Sequence, residues 1–416
     1  MKIIRLWDVL YLIVGIPFLF FNIVTSRAFT ELKTILLAIL VIIAVIEMIA
    51  GKIKVNRKVF TYIIIFLIFY ICSLFYGIFN GYEFEIQKDF ALIQYYVITP
   101  IVVLILSNVF FKKEYRLQKM FKILQLITLF VVIMNVLKIF ALKNILPDID
   151  FFNLLFISSD IKGTEVTLRI ANESSLMYLL PMYIVLFFQD STQQNKVINF
   201  MILIFGMTYS LLSGRKMLIL AAVITIGFMI FKELYSKKIK IKNIIIVLCL
   251  GIGIMIIINK FSSVIGMNNI FYNIYQTVVK GFSGDAYGVV SRKSDFDALI
   301  DLWLQSPFYG NGLNSYAIME LANPITKWSY EIMYIALLAQ TGIIGLGILV
   351  FGVYSLIRTM IIKYKKSSNI YYLATTIGFL SFFICGASNP LIYIAWPWII
   401  TVSVYSSNID NFKIIN

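Results

Sequence analysis

The chain has 416 residues and a mass of 47.8 kDa; 60% of its residues are hydrophobic, 14% are charged, and the mean hydropathy is +0.90. A soluble domain carries about 25% charged and about 45–50% apolar residues, so this composition excludes a large soluble domain, a disulfide scaffold and a disordered chain. The net charge of +15 is explained by lysine and arginine in cytoplasmic loops, and nucleic-acid binding is not needed to explain it. The chain contains no histidine, which excludes imidazole as a general base or metal ligand.

Apolar segments long enough to cross a bilayer recur along the whole chain. Because a membrane-spanning helix takes about 20 apolar residues, the sequence predicts an all-α, polytopic integral membrane protein with about 12 transmembrane helices in a single membrane domain, 1–416. The predicted spans are 7–25, 33–50, 59–79, 90–110, 120–141, 174–189, 197–213, 216–232, 243–260, 330–360, 370–386 and 391–407.

The charges of the loops predict the orientation of these spans. The basic segments GKIKVNRK, KKEYRLQK, KELYSKKIKIK and KYKK alternate along the chain with loops that hold most of the acidic residues. Lysine and arginine accumulate in cytoplasmic loops, so both termini are expected in the cytoplasm.

Two connections, 142–173 and 261–329, are longer than the topology requires, and both are expected outside the cytoplasm. Loops longer than about 15 residues are usually functional or disordered. The second contains SDFDALIDLWLQSP, whose spacing of apolar and acidic residues predicts an amphipathic helix. The glycines of the following FYGNGLNSY predict a turn.

Cations lie at three outward span ends: Arg169 in LRIANESS, Arg215 and Lys216 in SLLSGRKM, and Arg292 and Lys293 in VVSRKSDFD. Arginine binds phosphate oxygens with a two-pronged fork, so the three arginines indicate a convergent site for a lipid-linked diphosphate. For either lysine alone, a side chain that extends to the membrane surface is the simpler explanation.

Two outward carboxylates, Glu173 and Glu331, stand where spans begin. Each is explained either by the helix dipole, which favours a negative charge there, or by a role as general base near the anion site. The D-x-D pairs Asp148/Asp150 and Asp295/Asp297 arise easily by chance, and no metal site is predicted from them. The outer aromatic residues either stack on sugars or lie at the membrane interface; they are Trp303, Tyr309, Tyr316, Trp328 and Tyr330.

Several of these segments occur in a recognisable order: Ser213-Gly214-Arg215, then Arg292 through Pro307-Gly310-Gly312, then Tyr334 through Gly342-Gly345. This order resembles the O-antigen polymerase and ligase superfamily of bacterial surface-polysaccharide synthesis. That family typically shows a serine-rich span end running into an arginine, an arginine-led amphipathic segment ending in P-x-x-G-x-G, and a helix ending in G-x-x-G. RIANESS is similar to the family's arginine followed by E-P-S, with Ser174 where proline is common. The resemblance covers roughly 165–350.

The resemblance implies a Wzy-type polymerase in the cytoplasmic (inner) membrane that joins undecaprenyl-diphosphate-linked repeat units of O-antigen or capsule. Ligases of the superfamily carry a histidine near the position of Glu331, and this chain has none, which favours the polymerase branch. Arg215 and Arg292 would then bind the departing diphosphate, Arg169 the second diphosphate or the sugar, and Glu331 would be the base.

The predicted reaction is independent of metals and cofactors. Its predicted substrate-binding residues are Arg169, Glu173, Lys216, Lys293, Trp303 and Tyr330. The predicted partners are the lipid-linked donor and acceptor and the surrounding membrane lipid, with a chain-length regulator protein as a further candidate and no nucleic acid.

Two alternatives remain: a flippase for lipid-linked oligosaccharides, and an O-antigen ligase. A flippase should place charges within its spans and consist of two related halves. Here the predicted spans hold few charges, such as Glu47 and Lys138, and charge is concentrated in the two long loops.

Overall fold

A computed structural model describes residues 6–25, 29–50, 55–111, 113–142, 146–147, 160–162, 167–169, 173–189, 193–213, 216–235, 287–317, 327–388 and 391–407. Within these ranges the chain is mainly helical. Its α-helices are α1 (Leu6–Val24), α2 (Thr30–Ile49), α3 (Arg57–Phe79), α4 (Ile86–Ile93), α5 (Thr99–Ile105), α6 (Glu114–Leu142), α7 (Glu173–Gln189), α8 (Gln193–Leu212), α9 (Lys216–Tyr235), α10 (Tyr287–Gln305), α11 (Met333–Ser367), α12 (Ile370–Cys385) and α13 (Ala395–Ser406).

The described residues are consistent with the predicted all-α fold, and only two strands of three residues each occur among them. β1 (Asp160–Lys162) pairs antiparallel with β2 (Thr167–Arg169), with Asp160 opposite Arg169. The hairpin lies within the predicted loop 142–173.

Six helical segments of the described chain are long and apolar enough to cross a membrane: Thr30–Ile49, Arg57–Phe79, Ile86–Asn108, Glu114–Ala141, Asn195–Leu212 and Met333–Ser367. Four shorter apolar helices lie at other predicted spans: Asp8–Val24, Ser174–Gln189, Met217–Lys232 and Ile370–Cys385. The predicted span 243–260 lies outside the described residues, so the count of 12 stays a prediction.

Large apolar side chains cover the outside of several of these helices. Only 22% of the most apolar part of α2 and of α3 is buried, and Ile49 and Phe79 are 79% and 85% exposed. Soluble monomers rarely expose apolar patches of this extent. The chain is therefore an α-helical protein embedded in a membrane.

The helical segment around Pro100 continues through the proline. Between α4 and α5 the chain widens into a π-helical turn, Gln94–Ile98, and the amide of Thr99 donates to the carbonyl of Gln94. Proline has no amide hydrogen to donate, so a wider turn just before it lets the helix proceed without a break.

The described residues divide into two compact units, one within 1–39, 118–279 and 367–381, the other within 40–117, 280–366 and 382–416. In the first unit, α7 is the central helix: nearly all of its side chains from Leu176 to Phe188 are buried. It packs against α8 and α9. Gly206 of α8 permits this approach, because a Cβ there would lie 2.5 Å from Leu180 of α7.

In the second unit, α3 and α11 run antiparallel and pack through small residues of α11. The hydroxyl of Tyr62 donates to the carbonyl of Ile348 at 2.7 Å, and that of Tyr70 to the carbonyl of Gly345 at 3.1 Å. A Cβ at Gly352 would lie 2.1 Å from the Tyr62 hydroxyl oxygen. Glycine at this position therefore brings the two helices together.

The predicted amphipathic segment forms α10, which confirms the helix. Leu299 and Leu302 are buried in a cluster that includes Ala336 and Ala339 of α11, whereas Phe296 and Leu304 are 43% and 58% exposed. One face of α10 thus packs against α11 near Ala336 and Ala339. The loop that follows α10 therefore starts next to α11.

Candidate functional site

The helix α11 contains a break at Gly342, whose φ of +65° and ψ of −173° lie outside the helical region. This backbone conformation is accessible essentially to glycine alone. The break separates a first part, 333–341, from a second part, 343–367. It leaves carbonyls at the end of one part and amides at the start of the other without helical partners.

Residues 306–317, here called the docked loop, supply partners for the carbonyls at the break. The amide of Asn311 donates to the carbonyl of Ala339 at 3.1 Å, and the amide of Gly312 donates to the carbonyl of Gln340 at 2.9 Å. The loop thus caps the first part of α11 with its own backbone.

The same loop also supplies acceptors for the amides that begin the second part. The amide of Ile343 donates to the carbonyl of Pro307 at 3.0 Å, and that of Ile344 donates to the carbonyl of Phe308 at 3.2 Å. A Cβ at Gly342 would lie 2.2 Å from the Phe308 carbonyl oxygen, so only glycine permits this contact. Loop and break form one backbone-to-backbone junction.

Two glycines of the docked loop are required by the same close approach. Gly310 and Gly312 have φ values of +72° and +107°, which confirms the turn predicted at GNG. A Cβ at Gly310 would lie 2.3 Å from the backbone of Gln340, and one at Gly312 would lie 2.1 Å from the Cα of Gly77 in α3. The loop therefore lies against the backbones of α3 and α11 together.

Two buried amide side chains connect the junction to its surroundings. Asn311 donates through Nδ2 to the carbonyl of Leu302 in α10 at 2.6 Å. Gln340 donates through Nε2 to the carbonyl of Trp328 at 2.9 Å and to that of Ser315 at 3.2 Å. A buried polar group costs free energy unless it is paired, so these bonds hold the segments in one arrangement.

A buried carboxylate fixes the segment that precedes α11. Asp89 of α4 accepts a hydrogen bond from Nε1 of Trp328 at 2.9 Å and another from the backbone amide of Glu85 at 2.8 Å. The indole also meets the ring of Tyr95 edge-on, at 6.3 Å between centroids. The sequence gives no signal for this pair, because 239 residues separate its members.

An exposed cation lies beside aromatic rings at this end of the second unit. Lys327 pairs with Glu83 at 3.2 Å, and its Nζ lies 5.0 Å from the centroid of the Tyr316 ring. The hydrogen bond to Glu83 and the charge of that carboxylate raise the pKa of Lys327 above its usual value. Tyr82 meets Tyr316 edge-on at 5.6 Å. Cation, carboxylate and rings are all accessible to a polar ligand.

Two of the predicted site residues, Tyr330 and Trp303, make hydrogen bonds within the protein. Tyr330 is only 7% exposed, and its hydroxyl accepts a hydrogen bond from the amide of Ala317 at 2.9 Å. The indole of Trp303, half-buried, donates to the carbonyl of Pro307 at 3.0 Å. Tyr330 thus holds the end of the docked loop, and its predicted contact with a sugar stays a prediction.

Glu331 and Lys293 are exposed. Glu331 lies two residues before the first turn of α11, directly after the buried Tyr330. Its backbone is therefore held by the neighbouring tyrosine, while its carboxylate is accessible to solvent. The role of Glu331 as general base stays a prediction.

The other predicted site residues have side chains outside what the structure describes. Arg169 ends β2, Glu173 and Lys216 begin α7 and α9, and Arg292 lies within α10, whereas Arg215 falls between described segments. The convergence of the three arginines stays a prediction. The predicted D-x-D pair Asp148/Asp150 also lies outside the described residues.

Three buried polar atoms near the docked loop have no hydrogen-bond partner within the described part of the chain: Oγ of Ser73, Oδ1 of Asn314 and Oγ of Ser315. Native proteins pair most buried polar atoms, so these three are exceptions at one place in the fold. Two belong to the loop, and the third belongs to the residue whose carbonyl accepts the amide of Leu313 at 3.1 Å.

Comparison with known proteins does not assign the chain to a family. No protein-family model matches the chain, and no curated protein is significantly similar to it.

Proposed function

We propose that this protein is a Wzy-type polymerase that joins lipid-diphosphate-linked oligosaccharide repeat units at the outer face of a bacterial cytoplasmic membrane. The observation that carries the proposal is the junction at Gly342. The P-x-x-G-x-G segment and the G-x-x-G helix, which the sequence resemblance treats as separate motifs, contact each other through their backbones. Two motifs that contact each other in the fold support a shared functional role more strongly than the same motifs at separate places would.

The junction also supports the role of the residue proposed as base. Hydrogen bonds of Trp328 and Tyr330 hold the segment immediately before Glu331. A general base must keep a defined position while its carboxylate reaches the substrate, and this contributes about 10²–10⁴ in rate. The hydrogen bonds before Glu331 support the first condition, and the exposed position of Glu331 is compatible with the second.

In the proposed reaction, an acceptor hydroxyl attacks the anomeric carbon of the donor sugar. The bond between that carbon and the diphosphate oxygen breaks, the diphosphate leaves with the bonding electrons, and Glu331 takes the proton of the hydroxyl. Because a diphosphate is already a good leaving group, cations suffice to stabilise it. Arg215 and Arg292 are proposed for this task, and Arg169 for the second diphosphate or the sugar.

Deletion of the gene in its own host separates this proposal from the two alternatives. Loss of a polymerase should leave single repeat units on the cell surface. Loss of a flippase should leave no repeat units outside the membrane, and loss of a ligase should leave long polymer attached to its lipid carrier. Either of the last two outcomes would refute the proposed activity.

Complementation with variants then tests the base. Glu331→Gln keeps the shape but not the basicity, so it should restore only single repeat units at a normal protein level, and Glu331→Asp should restore partial polymerisation. Glu85→Gln is the matched control, because Glu85 is an exposed carboxylate of the same unit, outside the cluster of Lys327, Glu83 and Tyr316, and it should restore full polymer. Polymer at wild-type level from Glu331→Gln would remove Glu331 from the mechanism.

A further inference from the structure

The second unit contains a cavity of about 490 Å³ that is separate from the docked loop. Its walls come from α3, the π-helical turn and α5, the second part of α11, and the segment from Ile392 into α13. The lining is predominantly apolar, and its volume falls within the range of about 300–1,000 Å³ found for ligand pockets. A small apolar molecule or one hydrocarbon chain is the kind of ligand such walls accept.

The length of the cavity along α3 is close to the thickness of the hydrocarbon layer of one leaflet. On α3 the lining extends from Arg57 to Phe66. At 1.5 Å per residue these positions span about 14 Å along the helix, which is about half of a hydrocarbon core of about 30 Å. Ile65 and Phe351 belong to the lining and are 51% and 65% exposed, so the cavity is accessible from the side where lipid would lie.

The charged residues of the lining are confined to one end. Arg57 and Lys58, in the first turn of α3, are both exposed. Within the described part of the chain neither side chain has an ion-pair partner. Two unpaired cations beside a leaflet-deep apolar cavity are complementary to a molecule with a phosphate at one end and a hydrocarbon chain at the other.

We propose that this cavity binds one acyl chain of an anionic phospholipid, whose headgroup phosphate contacts Arg57 and Lys58. The site is independent of the proposed polymerase activity. Its cations belong to the basic segment GKIKVNRK, and the loop charges predict that this segment faces the cytoplasm. The lipid is therefore expected from the cytoplasmic leaflet.

The test uses the purified full chain in detergent and phospholipids with brominated acyl chains, which quench nearby indoles. Trp398 lies in the lining, so lipid entering the cavity should quench its fluorescence in a saturable way. Phosphatidylglycerol and phosphatidylcholine with identical chains are titrated in parallel. Phosphatidylglycerol should saturate at a concentration at least tenfold lower, because only it has a net negative charge.

Two sets of variants test the two ends of the site. Each basic residue near a membrane surface should contribute about a fivefold gain, so Arg57→Ala combined with Lys58→Ala should weaken phosphatidylglycerol binding about 30-fold. The control combines Lys365→Ala with Lys366→Ala, which removes the same charge from exposed residues outside the lining and should change binding less than twofold. Ser355→Phe, which places an aromatic ring inside the cavity, should also weaken saturable quenching.

Three results would overturn the proposal. Equal affinity for the two lipids would indicate nonspecific contact with hydrocarbon. Unchanged binding in the Arg57/Lys58 variant or in Ser355→Phe would place the lipid elsewhere. Competition by glycerol phosphate alone, without acyl chains, would indicate a site for a soluble phosphate.

Discussion

Replacement of Gly342 by alanine tests whether the junction between α11 and the docked loop holds the second unit together. The backbone of Gly342 lies in a region open essentially to glycine, so alanine costs about 1–3 kcal/mol there. Its Cβ would lie 2.2 Å from the Phe308 carbonyl, which forces the loop away. Two backbone hydrogen bonds, each with a net worth of about 0.5–1.5 kcal/mol, are then lost.

The expected total is a destabilisation of about 2–6 kcal/mol, concentrated at the junction. Gly347→Ala is the matched control: Gly347 lies in the same helix, and among the described residues nothing outside the backbone of that helix lies within 4 Å of an added Cβ. Because alanine favours a helix over glycine by about 1 kcal/mol, the control should be as stable as the wild type or more stable.

Thermal unfolding in detergent measures the global effect, and hydrogen exchange measures the local one. In Gly342→Ala the amides of the docked loop, notably those of Asn311 and Gly312, should lose protection, whereas Gly347→Ala should retain it. If both variants unfold at the same temperature and protect the loop equally, the junction contributes nothing to stability, and the reasoning from its geometry is refuted.

Three further predictions address charge and chemistry. Arg215→Lys keeps the charge but loses the two-pronged fork, so it should give little polymer at a normal protein level. Polymer at the wild-type level would show that Arg215 does not bind the diphosphate. Glu47→Gln removes the carboxylate that pairs with the fully buried Arg116 at 2.8 Å, so it should cost about 3–5 kcal/mol in unfolding experiments. Glu85→Gln, in an exposed pair with Lys88, should cost less than about 1 kcal/mol. Equal losses would contradict this account. Purified protein should polymerise lipid-linked repeat units at the same rate with and without excess chelator. If chelator abolished polymerisation and magnesium restored it, the metal-independent mechanism would be contradicted.

The helices were predictable because their signals are local. Long apolar windows identify spans such as α3, and the alternation of apolar and acidic residues identifies α10. The turn at Gly310 and Gly312 was predictable for the same reason, since glycine is the residue that adopts positive φ without strain.

The contacts that build the candidate site were not predictable, because they join distant parts of the chain. No local pattern relates Asp89 to Trp328, or Gly77 to Gly312. The burial of Tyr330 was missed for a related reason. An aromatic residue just before a span resembles a membrane-interface residue, and only the tertiary contact with Ala317 shows that its hydroxyl is used internally.

The docked loop is attached mainly by main-chain atoms, and this has a consequence for how the protein can diversify. Phe308 and Tyr309 are 64% and 65% exposed, although the peptide groups beside them are bound to α11. Substitutions of these two side chains can therefore alter what the surface recognises without weakening the attachment beneath it. Proteins built on this junction can therefore vary the shape and polarity of this surface while retaining the same fold.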